Sequence, residues 1–374
     1  MVVVAPTTAA TLASLGLRPV INAAATLTKL GGSRMPPEVV TAMAEGARSF
    51  VDLPGLQRAV AARIAELTRN EAAYISSGAA GGIVVAVASV IAGTDLEKIA
   101  AFPQLAGVER TEIIVHRSQR NGYDYAARQT GAGFVEIDGT EEALESAISG
   151  KTAGILWFAG AHFAKDALPI ETVVEIAHRH NVPVIVDAAA QIPLISNLWY
   201  FTRDVGADIA IFSGGKGLCG PQSSGLVLGR ADLIAGCVAN GSPNTSIGRP
   251  LKVGKEELFG ILAAVEWSLG RDEEALIAWY EEVVADWVAG LQGLTGVTVE
   301  RGFPSEAGQP FGRVMITLGP DAKLQRDDLV AALWNGEPCI AVGEPGPDQI
   351  ALNPQTVEKS EVGIVLDAVR RALS

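Results

Sequence analysis

Short apolar segments alternate with amphipathic ones over residues 72–230, and this alternation restricts the fold more than any other feature. Runs such as TAGILWF at 152–158 and VPVIVD at 182–187 predict buried strands, while IETVVEIAHRHN at 170–181 has the spacing of an amphipathic helix. Strands that alternate with helices build βαβ units. We therefore predict an α/β fold in which a mostly parallel central sheet carries helices on both faces.

The pattern changes after residue 250, which predicts a second domain. Long helical stretches at 255–270 and 273–294 are followed by short strands and a final helix. A chain of 374 residues also exceeds the size at which a single core usually stops growing. We predict a large domain over 51–250, a smaller α+β domain over 251–374, and an N-terminal segment, 1–50, that packs on both.

The charge balance argues against polyanionic partners. The formal net charge is −13, and no basic run is longer than a pair such as Arg370-Arg371. Nucleic acids and anionic membranes are normally met by clustered lysine and arginine. We predict that the protein binds neither of them and acts on a small molecule.

Cysteine usage and the apolar segments indicate a cytoplasmic protein. The three cysteines have no CxxC spacing, which fits a reduced compartment. The first 16 residues have no basic region typical of a secretory signal. The most apolar stretch, GGIVVAVASVIAG at 81–93, is too short to span a bilayer and predicts a buried helix.

The stretch SSGAAGG at 76–82 combines small residues with a predicted helix start. Unpaired backbone N–H groups at a helix N-terminus attract anions, and small side chains let a phosphate approach. The same stretch also satisfies the needs of a tight strand-to-helix turn, so both interpretations stay open for it alone.

Asp187 and Lys216 follow two successive predicted strands. Asp187 ends the strand VPVIVD, where open α/β sheets bind their ligands, although a turn aspartate explains it equally well. Lys216 lies in SGGKG, and a lysine shielded from water can act as a nucleophilic amine. A phosphate-loop lysine is the rival, but Ala210 and Gly217 break that motif, and no GxGxxG follows the first strand.

Together these three features match the needs of one cofactor. Pyridoxal 5′-phosphate requires an anion cradle, a carboxylate for its pyridine nitrogen and a lysine for its aldehyde. The cradle, Asp187 and Lys216 occur in this order on successive elements, which is a stronger signal than any one of them. His162, His178 and His180 show no metal-ligand spacing, so we predict no metal site.

The sequence resembles fold-type I pyridoxal-phosphate enzymes, and among them the SelA-like group of selenium transferases and ammonia-lyases. The resemblance spans roughly residues 18–270 and is carried by INAAATLTKLGGSRMPPEV, SSGAAGG, VIVDAAAQ, FSGGKGLCGPQSSGLVLGR and IGRPLKVGKEE. It implies the fold-type I architecture, pyridoxal 5′-phosphate as cofactor, and a homodimer or higher even assembly.

The resemblance also implies roles for individual residues. Lys216 would carry the Schiff base with the cofactor, and Asp187 would pair with the pyridine nitrogen. Gln191 would face the cofactor edge. The phosphate would be held by Ser77, Gly78 and Ala79, with Ser213 as a helper.

The loop 115–132 follows a predicted strand and is dense in polar and aromatic residues. In the fold-type I architecture, the loop at this position covers the cofactor ring. His116 and Gln119 are therefore candidates for cofactor binding, and Tyr123 is a candidate for substrate binding. An ordinary solvated loop is the alternative for each of them.

Arg34 and Arg249 both follow turns that contain glycine. A guanidinium group suits a carboxylate or a phosphate, so either arginine is a candidate for binding the substrate carboxylate. One of them could reach the cofactor phosphate of a neighbouring subunit, since fold-type I sites usually form between two subunits. A surface salt bridge is the alternative.

The predicted reaction begins with removal of the α-proton of a small amino acid or amino sugar acid by Lys216. Loss of a β-hydroxyl and hydrolysis would then give a 2-oxo acid and ammonia, while reprotonation on the other face would make the protein a racemase. A selenium transferase acting on seryl-tRNA is disfavoured by the acidic charge. A non-catalytic module would need neither Lys216 nor Asp187.

Overall fold

The computed structural model describes residues 11–374. These residues form two compact units. The larger unit comprises residues 26–274 and 306–310, and the smaller unit comprises residues 11–25, 275–305 and 311–374. The domain boundaries suggested by the sequence stay a prediction.

The strands and helices of these residues follow in chain order. The strands are β1 (Val20–Ala23), β2 (Ala72–Ser76), β3 (Glu112–His116), β4 (Gly133–Ile137), β5 (Thr152–Phe158), β6 (Val184–Asp187), β7 (Ile209–Ser213), β8 (Gly225–Gly229), β9 (Val297–Gly302), β10 (Arg313–Leu318), β11 (Cys339–Gly346) and β12 (Gln349–Leu352). The helices are α1 (Pro37–Ala47), α2 (Leu53–Leu67), α3 (Gly78–Ala92), α4 (Leu96–Ala100), α5 (Tyr125–Arg128), α6 (Glu141–Ala147), α7 (Ala161–Ala164), α8 (Ile170–Arg179), α9 (Asn197–Trp199), α10 (Ala231–Asn240), α11 (Lys255–Leu269), α12 (Glu273–Leu291), α13 (Arg326–Asn335) and α14 (Val362–Leu373).

The larger unit is built on a seven-stranded sheet in the order β2-β8-β7-β6-β5-β3-β4. Strand β8 runs antiparallel to both of its neighbours, and the pairs from β7 to β4 are parallel. Within β6, Val184 and Val186 join the core on one face, whereas Ile185 joins the core on the other. A parallel sheet buried on both faces requires such continuous apolar strands, and the predicted α/β class is confirmed.

Register places the carboxyl ends of the central strands side by side. Phe158 of β5 is aligned with Asp187 of β6, which is aligned with Ile211 of β7. Polar residues that follow these strands therefore meet at one edge of the sheet, where open α/β sheets place their ligands.

Helix α3 confirms the buried helix predicted from its apolar sequence and begins three residues earlier, at Gly78. It lies so close to the sheet that a side chain at Gly82 would meet Ile211 Cγ2 at 2.8 Å. The close approach holds the N-terminus of α3 next to β7. No helix among residues 11–374 is both long and apolar enough to cross a membrane.

The smaller unit contains a five-stranded sheet in the order β1-β11-β12-β10-β9. The short strands predicted after the long helices are confirmed as β9, β10 and β12. Strand β11 and helix α13 were not predicted, and the sequence of β11 explains why the strand was missed. Gly343 and Pro345 interrupt β11, and glycine and proline normally argue against a strand interior.

Candidate active site

A cavity of about 420 Å³ in the larger unit brings predicted site residues together. It lies where β5, β6 and β7 end, at the edge of the sheet that the register brings together. The predicted residues that line it are Ser77, Gly78, Ala79, Tyr123, Asp187, Ser213 and Lys216.

Lys216 lies in the turn between β7 and β8, and backbone contacts fix this turn on both sides. The Ser33 N–H donates to the Gly215 carbonyl at 3.0 Å, and the Ser33 hydroxyl donates to the Lys216 carbonyl at 2.8 Å. A side chain at Gly215 would meet Gln222 Cα at 2.5 Å, and one at Gly217 would overlap the Ile192 carbonyl. The glycines beside Lys216 are therefore required by close packing, and the main chain of Lys216 has a fixed position at the cavity.

Asp187 is 8% exposed at the end of β6. One of its carboxylate oxygens accepts a hydrogen bond from the Ala189 N–H at 3.0 Å. Burial raises the pKa of Asp187, and the Ala189 N–H and the charge of Lys216 only partly oppose this effect. A cationic partner in the cavity would therefore stabilise the ionised form of Asp187.

The N-terminus of α3 supplies the third part of the cavity. Gly78 has a φ of 71°, a left-handed conformation that favours glycine, and Ser77 precedes the helix. The first turn carries no acidic side chain. The free N–H groups and positive end of the helix dipole therefore favour an anion at Ser77, Gly78 and Ala79.

His116 is fully buried at the end of β3 and does not line the cavity. Its Nε2 accepts a hydrogen bond from the Leu168 N–H at 3.3 Å, while its buried Nδ1 has no partner among the described residues. Burial lowers the pKa of His116 to about 4, so the ring is neutral at pH 7. A role at the cofactor stays a prediction for this residue.

Gln119 also does not line the cavity and has no exposed surface. Its side-chain amide donates to the Phe158 carbonyl at 3.1 Å and accepts from the Phe158 N–H at 3.1 Å. These two hydrogen bonds fix the end of β5. The structure thus shows a scaffold contact for Gln119, and contact with the cofactor stays a prediction.

Replacement of Gln119 by alanine is expected to lower the free energy of unfolding by roughly 2–4 kcal/mol, because two buried main-chain groups lose their partners. Urea denaturation would measure the loss. Gln129→Ala, at an exposed position, is the control. Equal stability of the Q119A and Q129A variants would contradict this account.

The remaining predicted residues lie outside the cavity lining. Gln191 is buried, and its amide donates to the Ala307 carbonyl at 2.8 Å. Arg34 and Arg249 are exposed, and Arg249 lines a separate groove with Lys252 and Glu256. A substrate-binding role for either arginine stays a prediction.

Sequence reasoning missed several polar residues that line the cavity, among them Thr26, Thr28, His162, Gln222 and Glu306. Gln222 donates from its side chain to the Thr28 carbonyl at 2.9 Å, which joins the two loops at the cavity wall. Thr26, Thr28 and Gln222 lie within the quoted motifs but were assigned no role. No local motif marks His162 or Glu306, which come from segments far apart in the chain.

The chemistry of the donor set fits pyridoxal 5′-phosphate. Lys216 offers an amine for an aldehyde, Asp187 offers a buried carboxylate for a protonated ring nitrogen, and the start of α3 offers N–H groups for a phosphate. Across residues 11–374, no group of three or more His, Cys, Asp or Glu side chains is arranged to hold a metal ion.

Comparisons with known proteins agree with this chemistry. The sequence matches the Aminotransferase class-V family over residues 116–242. It is 32% identical to the D-glucosaminate-6-phosphate ammonia lyase of Salmonella typhimurium, over 95% of this chain and 96% of that protein. It is also 34% identical to a 5′-C-glycyluridine monooxygenase-decarboxylase from Streptomyces, over 82% of this chain and 77% of the relative.

A solved structure of D-glucosaminate-6-phosphate ammonia-lyase matches with a TM-score of 0.82 at 30% identity and covers 97% of both chains. The identity and coverage confirm the resemblance stated from the sequence motifs, the fold and the cofactor. The chain belongs to the fold-type I, pyridoxal 5′-phosphate-dependent enzyme family that includes D-glucosaminate-6-phosphate ammonia lyase.

Proposed function

We propose that this protein is an ammonia-lyase-type enzyme that removes the α-proton and the β-hydroxyl of a small amino acid or amino sugar acid. The observation that carries the proposal is the single cavity that holds Lys216, Asp187 and the N-terminus of α3. Similarity to an ammonia lyase over nearly the whole chain supports the lyase class. The products would be a 2-oxo acid and ammonia.

The bound cofactor supplies an electron-withdrawing ring that acidifies the α-carbon of an amino acid. We propose that Asp187 pairs with the ring nitrogen and that Gln191 lies at the edge of the cofactor. Ser77, Gly78 and Ala79 would hold the phosphate at the start of α3, with Ser213 as a helper.

Lys216 is proposed to anchor the cofactor and then to take the α-proton. Its main chain is held by Ser33, so the side chain that carries the amine starts from a fixed position at the cavity. A fixed origin for the proton acceptor lowers the entropic cost of proton transfer.

We propose that His116 and Gln119, which do not line the cavity, act on the cofactor indirectly, by fixing the segments that follow β3 and β5. Their hydrogen bonds to Leu168 and Phe158 support this role. The side chain of Tyr123, which is 66% exposed and lines the cavity, would contact the substrate.

Arg34 and Arg249 are proposed to recognise the substrate carboxylate, one of them across the interface of a homodimer. Both are exposed on one chain, and Lys216 is the only lysine or arginine among the described residues that line the cavity. A second copy would therefore complete the positive charge that an anionic substrate needs. We further propose a cytoplasmic location, which the three free cysteines support.

The proposed function is tested with the protein loaded with pyridoxal 5′-phosphate. D- and L-serine, D- and L-threonine and D-glucosaminate would be incubated with it, and ammonia, 2-oxo acid and α-proton exchange in D₂O would be measured. Equal amounts of ammonia and 2-oxo acid from at least one compound are expected. Absence of α-proton exchange with every compound would overturn the proposal.

Racemisation is the second candidate, because His162 lines the same cavity and offers a further proton donor. The same assay separates the two reactions. Inversion at the α-carbon without ammonia release would establish a racemase, whereas ammonia release at the rate of α-proton loss would exclude racemisation as the main reaction.

A further inference from the structure

The cavity contains a second set of acid–base groups besides Lys216 and Asp187. His162 in α7 and Glu306 in the segment 306–310 both line it, although they are 144 residues apart in the chain. Tyr123 is the further titratable side chain of the lining. An imidazole and a carboxylate in one ligand cavity are groups that transfer protons in enzymes.

Close packing fixes the segment 306–310 against the start of α7. A side chain at Gly308 would meet the Ala161 N at 2.5 Å, and one at Gly160 would meet the Ala307 carbonyl at 3.0 Å and His162 Cε1 at 3.4 Å. The Gln191 amide also donates to Ala307. The main chain next to Glu306 is thus held against the segment that carries His162.

The imidazole of His162 is supported by its neighbour. Its ring centroid lies 3.9 Å from that of Phe163, and Phe163 in turn lies 5.6 Å from Phe158 at the end of β5. The orientation of the imidazole is therefore tied to the strand that also neighbours Asp187.

Elimination of a β-hydroxyl needs a proton donor as well as a base. Hydroxide is a poor leaving group at neutral pH, and a positioned general acid typically accelerates such a step by about 10²- to 10⁴-fold. Lys216 is occupied with the α-proton at this stage, and Asp187 is buried at the end of β6.

We propose that His162 is the general acid that protonates the β-hydroxyl of the substrate and that Glu306 is the positioning residue that favours the protonated imidazole. A nearby carboxylate stabilises the charged form of a histidine. The inference rests on the proposed elimination and adds the residues that release the leaving group.

The step balances as follows. Lys216 takes the α-proton, and the electron pair of the broken C–H bond forms the Cα–Cβ double bond. The Cβ–O bond breaks with its electron pair on oxygen, which takes the proton of His162 and leaves as water. The unsaturated amine then tautomerises and consumes one water to give the 2-oxo acid and ammonia, while Lys216 releases the α-proton to solvent and His162 regains a proton from it.

The test compares leaving groups in His162→Gln, which keeps a polar side chain but cannot donate its proton as an imidazolium does. With serine, kcat/KM is expected to fall by about 10²- to 10³-fold. With β-chloroalanine, whose chloride leaves without a proton, the fall is expected to stay below about 3-fold. His180→Gln, at an exposed histidine that follows α8 and does not line the cavity, is the matched control.

Two further readouts separate this role from a structural one. Binding of α-methylserine, which has no α-proton to lose, is measured by calorimetry against α-aminoisobutyrate, which lacks the hydroxyl. The wild type should prefer the hydroxyl compound, and H162Q should lose that preference. In Glu306→Gln, the alkaline limb of the kcat profile for serine should move to lower pH, because the neutral imidazole is favoured.

Each outcome decides between the two proposals. Equal losses of H162Q with serine and β-chloroalanine, or unchanged turnover of serine, would overturn the role of His162 while leaving the lyase intact. A wild type that exchanges no α-proton of any amino acid would overturn the proposed function itself.

Discussion

Lys216→Ala is expected to lower the turnover of any amino acid substrate by at least about 10³-fold, because the variant loses both the anchoring amine and the acceptor of the α-proton. The fold should persist, since the contacts that hold the turn come from main-chain groups of Gly215 and Lys216. The cofactor should still bind, through Asp187 and the start of α3.

Borohydride reduction followed by peptide mapping measures the anchoring directly. The wild type should carry a reduced pyridoxyl group on Lys216, and K216A should carry none. Lys98→Ala, at an exposed lysine on α4, is the control and should behave as the wild type. A reduced adduct on another lysine would show that Lys216 has been assigned the wrong role.

In K216A, addition of a small amine separates the loss of the proton acceptor from the loss of the anchoring amine. Methylamine can enter a cavity of about 420 Å³ and accept a proton, so partial recovery of α-proton exchange is expected. Recovery would show that the missing amine limits the rate. If the variant binds cofactor and substrate but methylamine has no effect at any concentration, the position of the proton acceptor on Lys216 matters more than its basicity.

The sequence predicted the part of the site that lies on consecutive strands. Asp187 and Lys216 each follow a continuous apolar run, and parallel strands bring such ends to one edge of a sheet. The glycines beside Lys216 predict a constrained turn. In the structure, main-chain atoms of Gln222 and Ile192 leave no room for a side chain at these glycines.

The other part of the site depends on contacts that no local pattern encodes. Glu306 joins the cavity because the short segment 306–310 belongs to the larger unit, although the residues on both sides of it belong to the smaller one. His162 lies in a four-residue helix with no sequence signature of its own. Only the folded chain shows that the two line one cavity.

A polar residue at a strand end can also face either way, which the sequence does not reveal. His116 ends β3 and Gln119 follows it, where a ring-covering segment would lie, yet both side chains are buried and hydrogen-bonded to the main chain. Both side chains face the interior because the main chains of Leu168 and Phe158 offer hydrogen-bond partners there. These partners belong to segments about 40–50 residues away.

Asp187→Asn is expected to reduce kcat by about 10²- to 10³-fold, the usual loss when one preorganised electrostatic contact is removed from an active site. The neutral amide cannot balance a protonated ring nitrogen, so the cofactor withdraws electrons less effectively. The fold should be preserved, because the amide oxygen of asparagine can still accept the hydrogen bond from Ala189.

The same substitution should have the opposite effect on the stability of the cofactor-free protein. Burial raises the pKa of Asp187 above its ordinary value of 3.8, so the folded state holds this proton to higher pH than the unfolded state does. The contribution of Asp187 to stability is therefore fully present below pH 3.8 and is lost as pH rises through the folded pKa. D187N does not titrate, so its stability advantage should grow over that window and persist at pH 7.

Thermal unfolding of both proteins with and without pyridoxal 5′-phosphate tests the two effects together. Without cofactor, the melting temperature of D187N should equal or exceed that of the wild type. Addition of the cofactor should raise the melting temperature of D187N less than that of the wild type. Asp286→Asn, an exposed aspartate on α12, is the control and should change neither value. A D187N variant that gains as much from the cofactor as the wild type, and keeps its kcat, would show that Asp187 does not face the ring nitrogen. If D187N is the more stable protein without cofactor and the wild type is the more stable one with it, Asp187 is a charge whose burial destabilises the fold until the cofactor compensates it.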